Sequence, residues 1–212
     1  EKPLASTVED AQAIADLAGA PGARFAVNFP FACGRAATRM LELSRGALGP
    51  LQDLEIRARF AAWPRPWQAG AADWLAGPGE GGFTREVLSH FLFLAHRLGG
   101  PLEVLEAAVA RAPGAAEHAL QARLRAGELP VSVDAAVAGE IADENMARLR
   151  GRDGSATLSA WARLEAGEER IEREDPTPLT LSRFADLLET GAPGGLATAA
   201  EALAVVRCVE AL

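Results

Sequence analysis

Gly81-Gly82-Phe83-Thr84-Arg85-Glu86-Val87-Leu88-Ser89-His90-Phe91-Leu92-Phe93-Leu94 is the stretch on which the reading of this chain turns. Two glycines open it and Gly99-Gly100-Pro101 closes it, the punctuation of a helix. Phe83, Val87, Leu88, Phe91, Leu92, Phe93, Leu94 and Leu98 leave almost no side of that helix polar, which predicts a buried one. Glu86 and His90 stand four residues apart and so share a face. Carried into apolar surroundings, a carboxylate and an imidazole must find partners or change their proton affinity. They are candidates for proton chemistry, although a lone histidine in such a helix is more often a hydrogen-bonded core residue.

On the N-terminal side of the helix, Leu51 to Ala61 is the clearest amphipathic strand. Leu54, Ile56, Ala58 and Phe60 point one way, and Asp53, Glu55, Arg57 and Arg59 the other. Strict alternation predicts a sheet with one buried and one open face, antiparallel or mixed. Between strand and helix runs a loop rich in Pro, Gly and Trp, the kind of segment that often serves as a lid or binding loop. Trp63, Trp67 and Trp74 in it suit stacking on a cyclic ligand, and they suit burial as loop anchors equally well. Arg85, at the start of the helix, joins these tryptophans as a substrate-binding candidate. Gly77-Pro78-Gly79-Glu80-Gly81-Gly82 spells G-x-G-x-x-G, but residues 71–76 are not the hydrophobic strand a dinucleotide fingerprint needs before it. Its glycines are read instead as backbone freedom at a helix start.

Beyond the helix, residues 101–112 read as a strand. Leu120, Ala122 and Leu124 alternate up to Ala126-Gly127, and Leu129, Val131, Val133, Ala135 and Val137 alternate away from it, a hairpin. Turn signals at residues 151–154 and 166–168 predict a meander over residues 146–172, broken by Pro176 and Pro178. Helices are expected over 181–189 and 196–212. Before the strand at 51, a helix capped by Ser6 with Glu9 ends at Gly19. An alternating strand Phe25-Val27-Phe29-Phe31 and a helix over 35–45 follow. The fold class is α+β: a large mixed, mostly antiparallel open sheet with helices packed on one face.

The 212 residues carry a net charge of −8, with arginines scattered among acids, so no basic surface is available to a nucleic acid. No apolar run is long enough to cross a membrane. Cys33 and Cys208 are far apart in sequence, without metal-ligand spacing, and read as buried thiols of a reducing, cytoplasmic compartment. Glu86 and His90 find no completing ligand in His96 or His118, so no metal is expected. Ser89 beside His90 makes no triad.

Four features together resemble the Gfo/Idh/MocA family of NAD(P)-dependent oxidoreductases. They are Glu1-Lys2-Pro3-Leu4-Ala5, the alternating Phe25 to Phe31, the segment Leu48-Gly49-Pro50-Leu51-Gln52 leading into a strand, and Gly81-Gly82 with His90 eight positions after Gly82. The Pro193-Gly194-Gly195 turn and Ala-rich tail also fit, so the resemblance covers essentially the whole chain. It implies that residues 1–32 are the tail of a Rossmann nucleotide-binding domain and residues 33–212 a substrate-binding and oligomerising α+β domain. The main motif for NAD or NADP is then expected upstream of residue 1. The resemblance also implies a small-molecule substrate, sugar-like or otherwise cyclic, and a homo-oligomer formed through the open sheet face.

Residue by residue, the resemblance places Lys2 beside substrate and nicotinamide, with Pro3 next to it at the cofactor, and makes His90 the acid/base. Glu86 stands where the family commonly has aspartate, and Phe93 where it often has a second acid. Glu86 is one methylene longer than aspartate, which leaves two orientations open, toward His90 or away from it, and Phe93 implies a less sugar-like, more apolar substrate or lost activity. A non-catalytic relative that binds a ligand or associates with itself is therefore the alternative. The chemistry is coherent: alcohol oxidation by hydride transfer needs a base for the hydroxyl proton and a cation for the oxygen.

Overall fold

The computed structural model describes residues 1–137, 139 and 143–212. Eight strands form one sheet: β1 (Leu51–Phe60), β2 (Leu102–Arg111), β3 (Glu117–Ala126), β4 (Leu129–Val137), β5 (Glu144–Gly151), β6 (Ser155–Ser159), β7 (Arg163–Ala166) and β8 (Glu169–Ile171). Their spatial order is β2-β3-β4-β1-β5-β6-β7-β8. Only β1 and β4 run parallel, so the sheet is mixed and mostly antiparallel.

The alternation in β1 does what its pattern implies. Leu54, Ile56, Ala58 and Phe60 are buried, while Asp53, Glu55, Arg57 and Arg59 stay partly exposed. On that open face the charges pair among themselves: Arg150 with Asp53 at 2.7 Å, Arg57 with Glu55 at 2.7 Å, and Arg59 with Asp134. Each such pair contributes about 1 kcal/mol at most.

The helices are α1 (Val8–Ala18), α2 (Pro30–Cys33), α3 (Arg35–Ser44), α4 (Ala72–Leu75), α5 (Ser89–Gly99), α6 (Thr177–Thr190) and α7 (Ala199–Ala211). The quoted stretch forms the centre of the packing. From Ser89 to Ala95 every residue of α5 is buried, and the helix lies against α7, which in turn holds α1. Phe83, Phe91 and Phe93 are almost fully enclosed, each burial worth about 1.5–3 kcal/mol. Phe29 stacks on Phe93 with ring centroids 4.5 Å apart. The segment after α1 is thereby tied, through residues 27–31, into the same core as the sheet.

Several sequence expectations are corrected. Residues 25–31 do not form a strand: Val27 makes a single bridge to Ala197, and Pro30 starts α2. The alternation there reflects burial of Val27, Phe29 and Phe31, while a proline's fixed φ suits a first helical turn. The cap of α1 is Thr7, accepting from the Asp10 N–H at 3.1 Å, one residue later than Ser6. The long loop contains a 3-10 turn over Pro66–Ala71 and then α4. Helix α6 begins at Thr177, because Pro178 sits in its first turn, where no N–H is needed. Finally, the first part of the central helix, Thr84–Leu88, is a π-helical turn and not α.

Candidate functional site

The site is built on the approach to α5. Gly81 lies against the carbonyls of Trp74 and Leu75, and Gly82, at φ 92°, lies against the Glu117 carboxylate, so a side chain at either would collide. Glu117, buried at the start of β3, accepts the Thr84 N–H at 2.6 Å. A carboxylate there satisfies one free donor and opposes the positive end of the helix. The loop glycines thus serve close packing at a helix start.

The π-helical turn that follows carries Glu86, and such turns often mark functional positions. The Lys2 ammonium donates to the Glu86 main-chain oxygen at 2.5 Å and to its Oε2 at 3.1 Å. Both side chains are largely enclosed, at 11% and 18% exposure, so this pair is not an ordinary surface contact. One turn on, His90 is buried, and its Nδ1 has no hydrogen-bond partner among the described residues. Three aromatic rings surround the imidazole edge-on: Trp161 at 5.4 Å, Phe29 at 5.7 Å and Phe31 at 6.0 Å between centroids.

The electrostatics follow from this enclosure. Burial pulls the Lys2 ammonium below the ordinary lysine range, Glu86 works against that shift, and Arg65 adds to it. Burial pushes the His90 imidazole down to about 3, with the positive charges of Lys2 and Arg65 adding to the effect. His90 is therefore neutral at physiological pH and sits in the field of two cations.

Of the residues singled out in sequence, Lys2 meets Glu86, with Pro3 adjoining Lys2, and His90 lies one turn on within reach of the Lys2 charge; His90 lines the neighbouring cavity, and Lys2 and Glu86 do not. Arg85 points elsewhere: it pairs with Glu210 at 2.6 Å and donates to the Gly79 carbonyl at 3.0 Å. Trp63 donates its indole N–H to the Leu75 carbonyl at 3.0 Å and packs against Phe60 and Phe83. Trp67 is exposed, with the Arg65 guanidinium over its ring at 4.7 Å, and Trp74 is exposed as well. None of the three tryptophans lines the cavity of about 580 Å³ beside His90; Trp161, Phe31, Pro30 and Arg173 do.

Two residues of the site escape sequence reasoning. Arg65 is held by its Nε donating to buried Gln68 at 3.0 Å, and its charge reaches Lys2 and His90. Its position between two prolines and two tryptophans marks a loop and carries no sign of the site. Trp161 lies in a hairpin 71 positions after His90 in sequence, and nothing local links the two. Among the described residues no three His, Cys, Asp or Glu side chains gather as a metal site, and no helix is long and apolar enough to cross a membrane.

No protein-family model matches the sequence, and no curated protein matches it. Solved structures do match in fold. An oxidoreductase from Thermotoga maritima superposes with a TM-score of 0.80 at 18% identity, over 99% of this chain and 66% of that one. GenD2 from gentamicin A biosynthesis, in complex with NAD, gives 0.77 at 20% identity, over 99% and 66%. The WlbA dehydrogenase from Bordetella pertussis, in complex with NADH and UDP-GlcNAcA, gives 0.78 at 21% identity, over 99% and 67%. The α+β fold implied by the Gfo/Idh/MocA resemblance is thus the fold of this chain. The chain spans about two thirds of the length of these oxidoreductases, 66% for the first two.

Proposed function

We propose that this chain is the substrate-side part of an NAD(P)-dependent oxidoreductase acting on a hydroxyl or carbonyl of a cyclic small molecule. Residues 1–32 are read as the tail of a nucleotide-binding domain and residues 33–212 as the substrate-binding domain. The observation that carries the reading is the pairing of Lys2 with Glu86 one turn from buried His90, whose Nδ1 has no partner among the described residues. A fold shared with proteins crystallised with NAD or NADH supports it.

A buried imidazole nitrogen without a partner, beside a buried ammonium, fits a site completed by groups from outside the chain. Lys2 and Pro3 would be the residues of this chain that adjoin a nicotinamide. When bound, that group supplies the hydride acceptor or donor. The chain's own residues handle the proton and the charge. His90, neutral and close to the cavity, takes the hydroxyl proton in oxidation and returns it in reduction. Its basicity is low in the ligand-free chain, and negative charge developing on the substrate oxygen as the proton leaves would raise it. Lys2 offsets that negative charge on oxygen. Glu86 holds the ammonium in place through two acceptors on one residue. The aromatic rings around the imidazole keep water away from it.

The expected partners are a small-molecule substrate and, through the open sheet face, a second copy of the chain. The buried free thiols Cys33 and Cys208 suit a reducing cytoplasm. Analytical ultracentrifugation of the protein at micromolar concentration tests the association; a single monomeric species removes it. Calorimetric titration of the full-length protein with NAD(H) and NADP(H) tests the main proposal. Micromolar binding of one pair is expected. Binding of neither pair would leave the second reading, a ligand-binding relative without turnover, which the depressed basicity of His90 favours.

A further inference from the structure

Glu86 and His90 are four residues apart, so an α-helix would set the carboxylate one turn before the imidazole. The structure does otherwise. Residues 84–88 form a π-helical turn in which the Ser89 N–H donates to the Thr84 carbonyl, five residues back rather than four. The wider turn breaks the alignment with His90. The Glu86 carboxylate goes to Lys2 instead, with Oε2 at 3.1 Å from the ammonium.

Two enclosed polar atoms at the end of this turn have no partner among the described residues, Ser89 Oγ and His90 Nδ1. An α-helical turn offers a partner to each. A serine hydroxyl in an α-helix reaches the carbonyl four residues back, here that of Arg85, and the Glu86 carboxylate would stand within reach of the imidazole. Leaving buried polar groups unpaired is costly, so the turn by itself favours the α register. A contact from outside must hold it in the π register.

Glu117 is placed to do so. It is buried at the start of β3, and its Oε1 accepts the Thr84 N–H at 2.6 Å, at the first residue of the turn. Gly82, two residues earlier, lies against the same carboxylate. The Gly82 N–H donates to the Leu75 carbonyl at 3.0 Å, which fixes the loop before the turn and leaves the Thr84 N–H to Glu117. At the other end, Ser89 to Ala95 are all buried in the core and cannot slide. Between two held ends the chain carries one residue more than an α turn takes up, and the π-helical turn absorbs it.

We propose that Glu117 is a positioning residue for the candidate site: by holding the Thr84 N–H it keeps residues 84–88 in the π register, which gives the Glu86 carboxylate to Lys2 and denies it to His90. That Lys2 and His90 serve a reaction rests on the oxidoreductase reading; the register set by Glu117 does not. The charged groups facing His90 are Lys2 and Arg65, with Arg173, Glu174 and Asp175 at the cavity it lines. Substituting Glu117 removes none of them, so a change at His90 reports the arrival of Glu86.

The test is nitrogen-15 NMR of the histidine rings in the full-length protein, with His90 assigned by its disappearance in His90→Gln. In the wild type the His90 ring is expected to stay neutral from about pH 7 down to about pH 4. In Glu117→Ala the turn relaxes, and the His90 midpoint is expected to rise by about 1–3 pH units, with the Nδ1–H taking the signature of a hydrogen bond to a carboxylate. Adding Glu86→Gln to Glu117→Ala is expected to reverse the rise, because an amide brings no charge. Glu117→Gln, which keeps an oxygen acceptor for the Thr84 N–H, is expected to leave the ring neutral over the wild-type range. If Glu117→Ala does not fold, Glu117→Asp, whose shorter side chain loosens the contact, takes its place. The proposal is overturned if the folded Glu117→Ala or Glu117→Asp protein leaves His90 as in the wild type, or if the rise survives Glu86→Gln. The readout needs neither cofactor nor turnover. The expected rise in a protein that never reduces NAD or NADP would contradict the oxidoreductase reading alone. Turnover together with an unmoved His90 in Glu117→Ala would contradict this inference alone.

Discussion

The loop of Trp63, Trp67 and Trp74 and the hairpin of Trp161 are the two tryptophan-bearing regions of the molecule, and they use the same side chain for different ends. In the loop, Trp63 closes the structure around Phe60 and Phe83 with its N–H engaged by Leu75, while Trp67 lies open under Arg65. In the hairpin, Trp161 is carried on an unfavourable backbone into the neighbourhood of His90. A tryptophan that anchors can adopt its preferred conformation, and its loss is felt as stability. One held against its local preference, as Asn145 holds Trp161, depends on contacts from elsewhere in the chain, and its loss is felt at the cavity it lines. The difference separates the two roles where aromatic content alone does not.

Three changes sharpen that contrast. Trp63→Ala removes a half-buried ring and one of the two donors to the Leu75 carbonyl, which keeps the Gly82 N–H, so it should destabilise the protein by about 2–3 kcal/mol in urea unfolding, most of it from the lost ring. A change below about 0.5 kcal/mol would remove the anchoring role. The second concerns His90, enclosed by the hairpin and held near a pKa of about 3 against 6.5 in the unfolded chain. Between those values the unfolded state binds the extra proton, so this contribution to stability is fully present above about pH 6.5 and is lost as pH falls toward 3. The slope is at most about 1.4 kcal/mol per pH unit, and wild type minus His90→Gln in denaturant titrations across that window should reveal it. Identical pH dependence in both proteins would mean that His90 is not held neutral. The smallest effect is expected at Trp67: replacing this exposed ring with alanine should shift stability by less than about 0.5 kcal/mol.

Much of the architecture was legible because burial writes itself into local patterns. The alternation of β1, the β3–β4 hairpin around Gly127 and the all-round apolar surface of α5 each reflect one face or one helix meeting the core. Residues 25–31 misled for the same reason: their alternation records burial of Val27, Phe29 and Phe31, but a strand also needs partners for its backbone, and only Val27 has one. The π-helical turn at Thr84–Leu88 left no trace, since the apolar spacing tolerates one residue more per turn. Glu86 and His90 could be named from their spacing on the apolar helix, and Lys2 from the resemblance. Arg65, Glu117 and Trp161 could not, because each acts through contacts between segments far apart in sequence. Glu117 and Gly82 are 35 positions apart, yet the carboxylate explains the glycine.

The central claim is that an ammonium near Glu1 and an imidazole in the apolar helix serve one reaction. Its most direct measurement is reduction of NAD or NADP by the full-length protein, given a cyclic alcohol, in wild type, Lys2→Met and His90→Ala. The account predicts that kcat falls by about 10²–10⁴ in His90→Ala and by at least about 10² in Lys2→Met, with the cyclic alcohol still bound. Turnover in either variant equal to that of the wild type would contradict it.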